Sequence, residues 1–167
     1  GLILRMTDED FDRVVDVNLK GAFNMTRHLC AHFVRRRFGR IINITSVSGL
    51  CGNAGQANYS AAKAALTNLT KGLSKEFGPK GIRVNTISPG PVSTDLWQGE
   101  DSVAAGFAAA AGATAAEIVS AVGAAAASGR FTTPQEVAEL AVFLASGRSA
   151  NITGSDIRID GGYVTTV

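Results

Sequence analysis

Apolar residues recur at a spacing of three or four positions in four parts of the chain, which predicts four amphipathic helices. The first begins after Thr7, a helix-capping residue followed by an acidic turn, and continues to about Arg37. This stretch is either one long helix or two helices with a break near residues 18–21. The same spacing predicts the other three helices over residues 56–77, 114–127 and 134–145.

Three short runs rich in β-branched residues predict strands over residues 40–45, 82–87 and 155–159. Because long helices separate these strands, the pattern indicates an α/β fold in which a parallel sheet is flanked by helices. Three strands are few for this architecture.

The remaining segments lack a clear period. Residues 46–55 are rich in Ser and Gly, and the Ser-Pro-Gly-Pro sequence at 88–91 ends the second strand sharply. Residues 92–112 are predicted to form a mobile segment. The alanine-rich composition of residues 104–127 is typical of a helical flap.

Composition narrows the class of protein. With 167 residues, 46% of them apolar and 18% charged, the chain fits one domain with a packed core. The two cysteines are too few for a disulfide framework and show no zinc-ligand spacing, so we expect a cytoplasmic protein without a metal. The apolar stretch 103–127 is mostly Ala and Gly and contains Glu117, so we expect no membrane helix.

Charge is distributed unevenly along the chain. Residues 1–83 carry 13 Lys and Arg against 6 Asp and Glu, whereas residues 84–167 carry 3 against 8. The basic half could attract an acidic partner, or it could be an ordinary solvated surface. One arginine triplet at 35–37, without interleaved aromatic residues, does not indicate a nucleic-acid partner.

Tyr59 and Lys63 are the first residues that suggest chemistry. They lie four positions apart in a predicted helix and therefore share one face of it. An ammonium group near a tyrosine stabilises the phenolate, and the pair can then act as a general acid and base. Taken alone, the spacing is equally typical of a partly exposed helix face.

Three further features fall where they could complete a site. Ser46 directly follows the first strand, at the carboxyl edge of the sheet, where its hydroxyl could bind a carbonyl oxygen. Asn18 lies at the expected helix break, where its amide could hold a main-chain group or a water, or could serve the kink alone. The turn at 88–90 ends the second strand at the same edge and could face a flat ligand, or could be an ordinary tight turn.

These residues lie in segments that together resemble the short-chain dehydrogenase/reductases. The similarity covers nearly the whole chain, with the segments in the same order and at the same spacing. Residues 1–95 are most similar to bacterial 3-oxoacyl-[acyl-carrier-protein] reductases. The segments that carry the resemblance are Val17–Gly21, Arg40–Ser46, Tyr59–Lys63, Ile82–Asn85, Pro89–Thr94 and Ile152–Gly162.

The resemblance implies a reductase that uses NADP or NAD, of which we favour NADP, in a reaction of fatty acid biosynthesis. Tyr59 would protonate the substrate oxygen, Lys63 would stabilise the phenolate and hold the nicotinamide ribose, and Ser46 would orient the carbonyl. Asn18 would position a water that relays protons to Lys63. The residues implied to line the nicotinamide are Pro89, Gly90, Val92 and Thr94.

The resemblance also implies the C-terminal part of a doubly wound Rossmann-type sheet, forming one partial domain over residues 1–167 with a substrate-covering flap at 92–130. The glycine-rich dinucleotide cradle of the family has no counterpart in the sequence, so we expect a portion of a longer enzyme. The alternative is a catalytically inactive oligomerisation or regulatory module. We also expect a homo-oligomer, a dimer or tetramer, with Arg37 and Lys80 beside the site to dock an acyl carrier protein.

Overall fold

The computed structural model describes residues 1–165 and begins with the helical region predicted from Thr7. The hydroxyl of Thr7 accepts a hydrogen bond from the main-chain N of Asp10, which caps helix α1 (Asp8–Val15). The chain then passes through one π-helical turn, Asp16–Lys20, into α2 (Gly21–Arg36). The predicted break near residues 18–21 is therefore a widened turn within a continuous helical segment.

Three parallel strands form the sheet in the order β1 (Gly39–Ile44), β2 (Ile82–Pro89) and β3 (Asp156–Ile159). Every residue of the central strand β2 is buried. Helices α4 (Ala57–Phe77) and α8 (Pro134–Ala145) pack on the sheet. The α/β fold class and all three predicted strands are confirmed.

Four shorter helices complete the fold within the described residues. Helix α3 (Ser48–Cys51) lies in the loop after β1, and helices α5 (Asp95–Gln98), α6 (Val103–Ala111) and α7 (Ala115–Ala125) lie between β2 and α8. We call the α5–α7 region the lid. Single turns of 3-10 helix occur at Ile3–Arg5, Gly78–Lys80 and Gly147–Ser149.

Residues 92–112, for which a mobile segment was predicted, contain helix α5 and helix α6. Ser102 caps α6 by accepting a hydrogen bond from the N of Ala105, and Ala104 and Ala108 of this helix are buried. Alanine has the highest helix propensity but a small side chain, so a run of alanines gives no visible apolar stripe along the sequence. For this reason only the alanine-rich composition, and not a periodic pattern, indicated helical structure here.

A chain of hydroxyl groups and one carboxylate crosses the sheet. Ser88 Oγ and Thr86 Oγ1 each donate to Asp156 Oδ1 at 2.6 Å, and Thr45 Oγ1 lies 2.6 Å from Ser88 Oγ. Thr45, Thr86 and Ser88 are all buried. Thr45 directly follows β1, Thr86 and Ser88 lie on β2, and Asp156 is the first residue of β3, so the network ties the three strands together.

The outer edge of β1 faces away from β2. Thr45 N donates to Ile87 O, and alternate residues of a parallel strand bond in opposite directions, so the main-chain groups of Ile42 and Ile44 point to this open edge. The outer helices also expose large apolar side chains, including Met25 at 63% and Leu29 at 42%. These surfaces have the character of contact sites.

Two further features of residues 1–165 concern metal binding and membrane insertion. This part of the chain shows no group of His, Cys, Asp or Glu side chains arranged to hold a metal ion. In the same residues no single helix is long and apolar enough to cross a membrane. Only residues 95–111 taken together with α7, which meet at 100°, reach the necessary length and composition.

Candidate active site

The carboxyl ends of β1 and β2 meet at one edge of the sheet, where the main-chain N of Val47 donates to the oxygen of Pro89 at 3.0 Å. Ser46 follows β1 at this edge, and the turn after Pro89 follows β2. Helix α4 brings Tyr59 to the same place. A cleft of about 810 Å³ opens between them and the lid. Five of the predicted site residues line it: Ser46, Tyr59, Pro89, Gly90 and Val92.

Tyr59 and Lys63 stand on successive turns of α4, as their spacing predicts. The Lys63 Nζ lies 5.4 Å from the centre of the Tyr59 ring and donates to the main-chain oxygen of Ile44 at 3.0 Å. Burial lowers the pKa of Lys63 from its ordinary value because the charged form loses solvation. The ammonium group is thus held between the tyrosine ring and the end of β1.

The hydroxyl of Ser46 is positioned by α3, which the sequence interpretation did not include. The main-chain N of Ser48 donates to Ser46 Oγ at 3.1 Å. This bond uses the oxygen of Ser46 as an acceptor, so its proton stays available for donation. A substrate carbonyl in the cleft can therefore accept a hydrogen bond from Ser46.

The turn after β2 forms a second wall of the cleft. A Cβ at Gly90 would fall 2.7 Å from the Cβ of Asp160, so only glycine fits this position. Thr94 lies outside the described cleft lining, and its hydroxyl donates back to the oxygen of Val92 at 3.4 Å. Pro89, Gly90 and Val92 thus follow one another along an uncharged wall of the cleft.

Asn18 occupies the π-helical turn, which packs against α4. Its side-chain amide donates to the main-chain oxygen of Val14 at 3.0 Å and satisfies a carbonyl left by the widened turn. Asn18 is not among the described residues that line the cleft. The structure therefore places Asn18 in a turn that contacts α4, outside the described lining of the cleft.

The lid supplies an apolar wall. Of the described residues that line the cleft, none carries a charge. Trp97 packs edge to face on Phe131, with 5.4 Å between the ring centres, and also lines the cleft. Trp97 therefore both anchors the lid and presents an aromatic side chain to the cleft. The other large apolar side chains of this wall are Leu96, Val103, Phe107, Ile118 and Val122.

Two ends of the lid are joined at its base. Val92 pairs with Thr132 in a parallel bridge, Ser93 N donates to Thr132 O at 2.9 Å, and Thr132 N donates to Pro91 O at 3.0 Å. The chain leaves the end of β2 at residue 93 and returns to the same place at residue 132. Main-chain hydrogen bonds therefore join the two ends of the segment that contains the lid.

Sequence reasoning missed several residues of the cleft. Tyr163 reaches it because both carboxylate oxygens of Asp160 accept main-chain N–H groups, from Gly162 and Val164, and turn the chain back. Ser48, Asn53 and Gln56 form a polar corner beside Tyr59. The two glycines after Asp160 indicated in the sequence the turn that brings Tyr163 to the cleft.

Arg37 and Lys80 lie together but not beside the cleft, which corrects the expected position. An Arg37 guanidinium N donates to the main-chain oxygen of Pro79 at 3.3 Å, next to Lys80. Both residues precede strands, so they lie at the amino ends of β1 and β2. Six residues of β1 span roughly 20 Å, which separates this basic pair from Ser46.

Comparison with known proteins extends these observations. The family described as "Enoyl-(Acyl carrier protein) reductase" matches residues 1–164. The 3-oxoacyl-[acyl-carrier-protein] reductase FabG of Thermotoga maritima is 40% identical over 163 residues, and that of Rickettsia conorii is 39% identical over 163 residues. Each alignment covers 98% of this chain, but only 61% and 62% of the respective relative.

Solved structures agree with the sequence comparison. A 4-hydroxyisoleucine dehydrogenase complexed with NADH superimposes on 100% of this chain and 65% of its own, with a TM-score of 0.84 and 32% identity. The same dehydrogenase, as a mutant with NADH and succinate, gives a TM-score of 0.87. The chain spans a little under two thirds of the length of these proteins. Its fold, the Tyr59 and Lys63 pair and these matches show that it belongs to the short-chain dehydrogenase/reductase family.

Proposed function

We propose that the protein is an NAD(P)-dependent oxidoreductase that reduces the ketone of a 3-oxoacyl thioester, or a related ketone, to the hydroxy compound. The observation that supports this most is the placement of two hydroxyl groups, those of Tyr59 and Ser46, on one cleft, with the Lys63 ammonium 5.4 Å from the Tyr59 ring. Two hydroxyl donors on one cavity, one of them with a cation beside its ring, suit a carbonyl oxygen that gains negative charge.

In the proposed reaction each residue has a separate task. Ser46 donates a hydrogen bond to the ketone oxygen and holds it in place. Tyr59 transfers its phenolic proton to that oxygen as charge develops, and Lys63 stabilises the phenolate that remains. When bound, the nicotinamide supplies the hydride that the carbonyl carbon receives. Asn18 is proposed to hold a water that returns a proton toward Lys63.

The residues present suit the nicotinamide end of the cofactor. Pro89, Gly90 and Val92 give an uncharged wall in the same cleft as Tyr59. Thr94, at the start of the lid, is proposed to lie near the carboxamide, and Lys63 near the ribose. We favour NADP over NAD for this protein.

The cleft supports an apolar acyl group as the substrate chain. Its wall consists of lid residues such as Leu96, Phe107 and Val122, and none of its described lining residues is charged. A substrate with a free carboxylate would lose solvation there without gaining a counter-charge. We therefore place a neutral 3-oxoacyl thioester ahead of a keto acid, in a step of fatty acid biosynthesis.

The basic pair Arg37 and Lys80 is proposed to dock the acyl carrier protein. The support is the proximity of two cations on a half of the chain with excess positive charge. Replacing both with Glu should raise the KM for a carrier-bound substrate. The KM for the same acyl group on N-acetylcysteamine should stay unchanged, and an equal change in both values would reject this docking surface.

The protein is also proposed to be a homo-oligomer located in the cytoplasm. The exposed apolar side chains of α2 support a homo-oligomer, a dimer or tetramer. Cys30 and Cys51 are both free thiols, which supports a cytoplasmic location.

The test is the oxidation of NADPH or NADH by the complete protein with a 3-oxoacyl-N-acetylcysteamine thioester. We expect turnover, and we expect Tyr59→Phe to lower kcat by at least about a hundredfold, the usual contribution of a general acid. Retained folding of the variant is checked by circular dichroism. A wild-type protein with no turnover on any ketone would favour the inactive oligomerisation or regulatory module instead.

A further inference from the structure

The polar corner of the cleft holds one amide in a fixed orientation. Gln56 Oε1 accepts hydrogen bonds from Asn53 Nδ2 at 3.1 Å and from Ser48 Oγ at 3.3 Å. Asn53 Nδ2 also donates to Ser48 Oγ at 3.0 Å. The three side chains form a closed triangle, so the Gln56 side chain is held by two neighbours.

This triangle leaves one donor group unused. The hydroxyl proton of Ser48 and the amide of Asn53 are directed into the triangle, and the oxygen of Gln56 accepts from both. Within residues 1–165, Gln56 Nε2 has no hydrogen-bond partner, although Gln56 lines the cleft. Its two N–H donors are therefore available to a ligand.

Gln56 also lies in the same cleft as the reacting groups. It directly precedes α4 and stands three positions before Tyr59, so both side chains lie on one side of the helix and line one cleft. A ligand whose ketone oxygen contacts Tyr59 and Ser46 therefore shares the cleft with the Gln56 side chain.

The proposed substrate class carries a second acceptor there. A 3-oxoacyl thioester has two carbonyl oxygens separated by one CH₂, and Tyr59 and Ser46 account for only one of them. The thioester oxygen is a neutral acceptor that loses its water when it enters the cleft, so it needs a neutral donor nearby. A ketone without the thioester has no such need.

We propose that Gln56 is a specificity-determining residue, whose Nε2 donates to the thioester oxygen of the substrate and so selects 3-oxoacyl thioesters over simple ketones. This inference rests on the proposed function. Asn53 and Ser48 are positioning residues, because they orient the Gln56 amide with its N–H groups free. A site that binds an acceptor through a fixed donor discriminates against ligands that lack the acceptor.

Ligand binding to this chain can be measured through the fluorescence of Trp97. It is the single tryptophan of the sequence and it lines the cleft, so its fluorescence reports ligand binding directly. Two ligands of equal chain length are titrated: a 3-oxoacyl-N-acetylcysteamine thioester and the corresponding 2-alkanone. The variants are Gln56→Met, which removes the amide, and Gln56→Glu, which keeps the acceptor oxygens but removes both donors. Gln135→Met, an exposed position at the start of α8, is the control.

We expect Gln56→Met to raise the Kd of the thioester about five- to tenfold, the effect of one neutral hydrogen bond. The Kd of the 2-alkanone should change less than twofold, and Gln135→Met should change neither value. Gln56→Glu should weaken thioester binding at least as much as Gln56→Met, which separates loss of the donor from loss of side-chain volume.

Three results would overturn the proposal: equal weakening of both ligands, no weakening of either, or a wild-type chain that binds the thioester no better than the alkanone. No response of Trp97 to any ligand in the wild type would reject the cleft assignment together with it. The proposed function fails by a different result, the absence of nicotinamide-dependent turnover in the complete protein while the binding preference persists.

Discussion

Lys63 Nζ donates to the main-chain oxygen of Ile44 at 3.0 Å, a bond between the second turn of α4 and the last residue of β1. Ile44 lies two positions before Ser46. The same ammonium group is 5.4 Å from the Tyr59 ring, so one cation contacts the strand that leads to one hydroxyl and the helix that carries the other. The bond fixes the spacing between these two elements at the cleft.

Lys63→Met should lower catalytic activity without lowering the stability of the fold. We expect kcat to fall at least about a hundredfold, because the phenolate would lose its cation. The pKa of Lys63 is lowered by burial, so the folded state binds this proton less readily than the unfolded chain does. The lysine therefore costs stability at neutral pH and costs less as pH rises toward 10.5.

The Lys63→Met variant should consequently unfold at an equal or higher urea concentration than wild type at pH 7, and should lose part of the gain in stability between pH 7 and 10. Lys71→Met, an exposed position on the same helix, should change neither kcat nor this pH dependence. A large loss of stability in Lys63→Met would contradict the burial argument.

Ala104→Leu tests whether the lid is packed or mobile. Ala104 is fully buried in α6, so a larger side chain should overpack its site and lower the free energy of unfolding by about 1–3 kcal/mol. Ala110→Leu, on an exposed position of the same helix, should have almost no effect. Urea unfolding followed by Trp97 fluorescence measures both, and equal stability of the two variants would restore the interpretation of a mobile segment.

Glu136 should make the start of α8 sensitive to acid. Its carboxylate accepts from Arg130 and from the main chain and hydroxyl of Thr133, and the hydrogen bond from Arg130 contributes most to lowering the Glu136 pKa from 4.5 to about 2. A carboxylate with a depressed pKa stabilises the fold above pH 4.5, and this contribution is lost as pH falls to about 2.

Glu136→Gln should therefore lower stability at pH 7 and flatten the loss of stability between pH 4.5 and 2. Glu139→Gln, an exposed position one turn later, is the matched control. Urea midpoints at pH 7, 4 and 3 give the measurement, and parallel pH profiles for wild type and Glu136→Gln would refute the assignment.

Met25→Lys together with Leu29→Lys should reduce self-association. These two exposed apolar residues lie one turn apart on α2, where charges would oppose contact between copies. Light scattering with size-exclusion chromatography should show an oligomer for wild type and a smaller species for the double variant. A monodisperse wild-type monomer at high protein concentration would remove the basis of the proposed assembly.

The elements with strong local patterns were predictable from the sequence. The Thr7 cap, the break before α2, the three β-branched strands and the long helix α4 each have a local cause, and each lies within a few residues of its predicted place. The shared face of Tyr59 and Lys63 follows from helix geometry alone. These features depend on neighbours along the chain.

The remaining features depend on contacts between distant residues. Arg83 is buried, although arginine is usually exposed, because its guanidinium donates to the main-chain oxygens of Leu144, Ser146 and Ile152. Gln56 joins the cleft because α3 and the following turn bring Ser48 and Asn53 to it. The local pattern of apolar and polar residues does not reveal such contacts between distant positions.

The pairing of residues 91–93 with Thr132 at the base of the lid separates the lid from the rest of the fold. Pro91, Ser93 and Thr132 close the excursion with main-chain bonds that do not depend on the sequence between them. Insertions, deletions or exchanges between residues 94 and 131 therefore leave β2, α8 and the reacting hydroxyls where they are. The lid can therefore change in length and sequence, and the ligand preference of the cleft with it, while the reacting groups keep their positions.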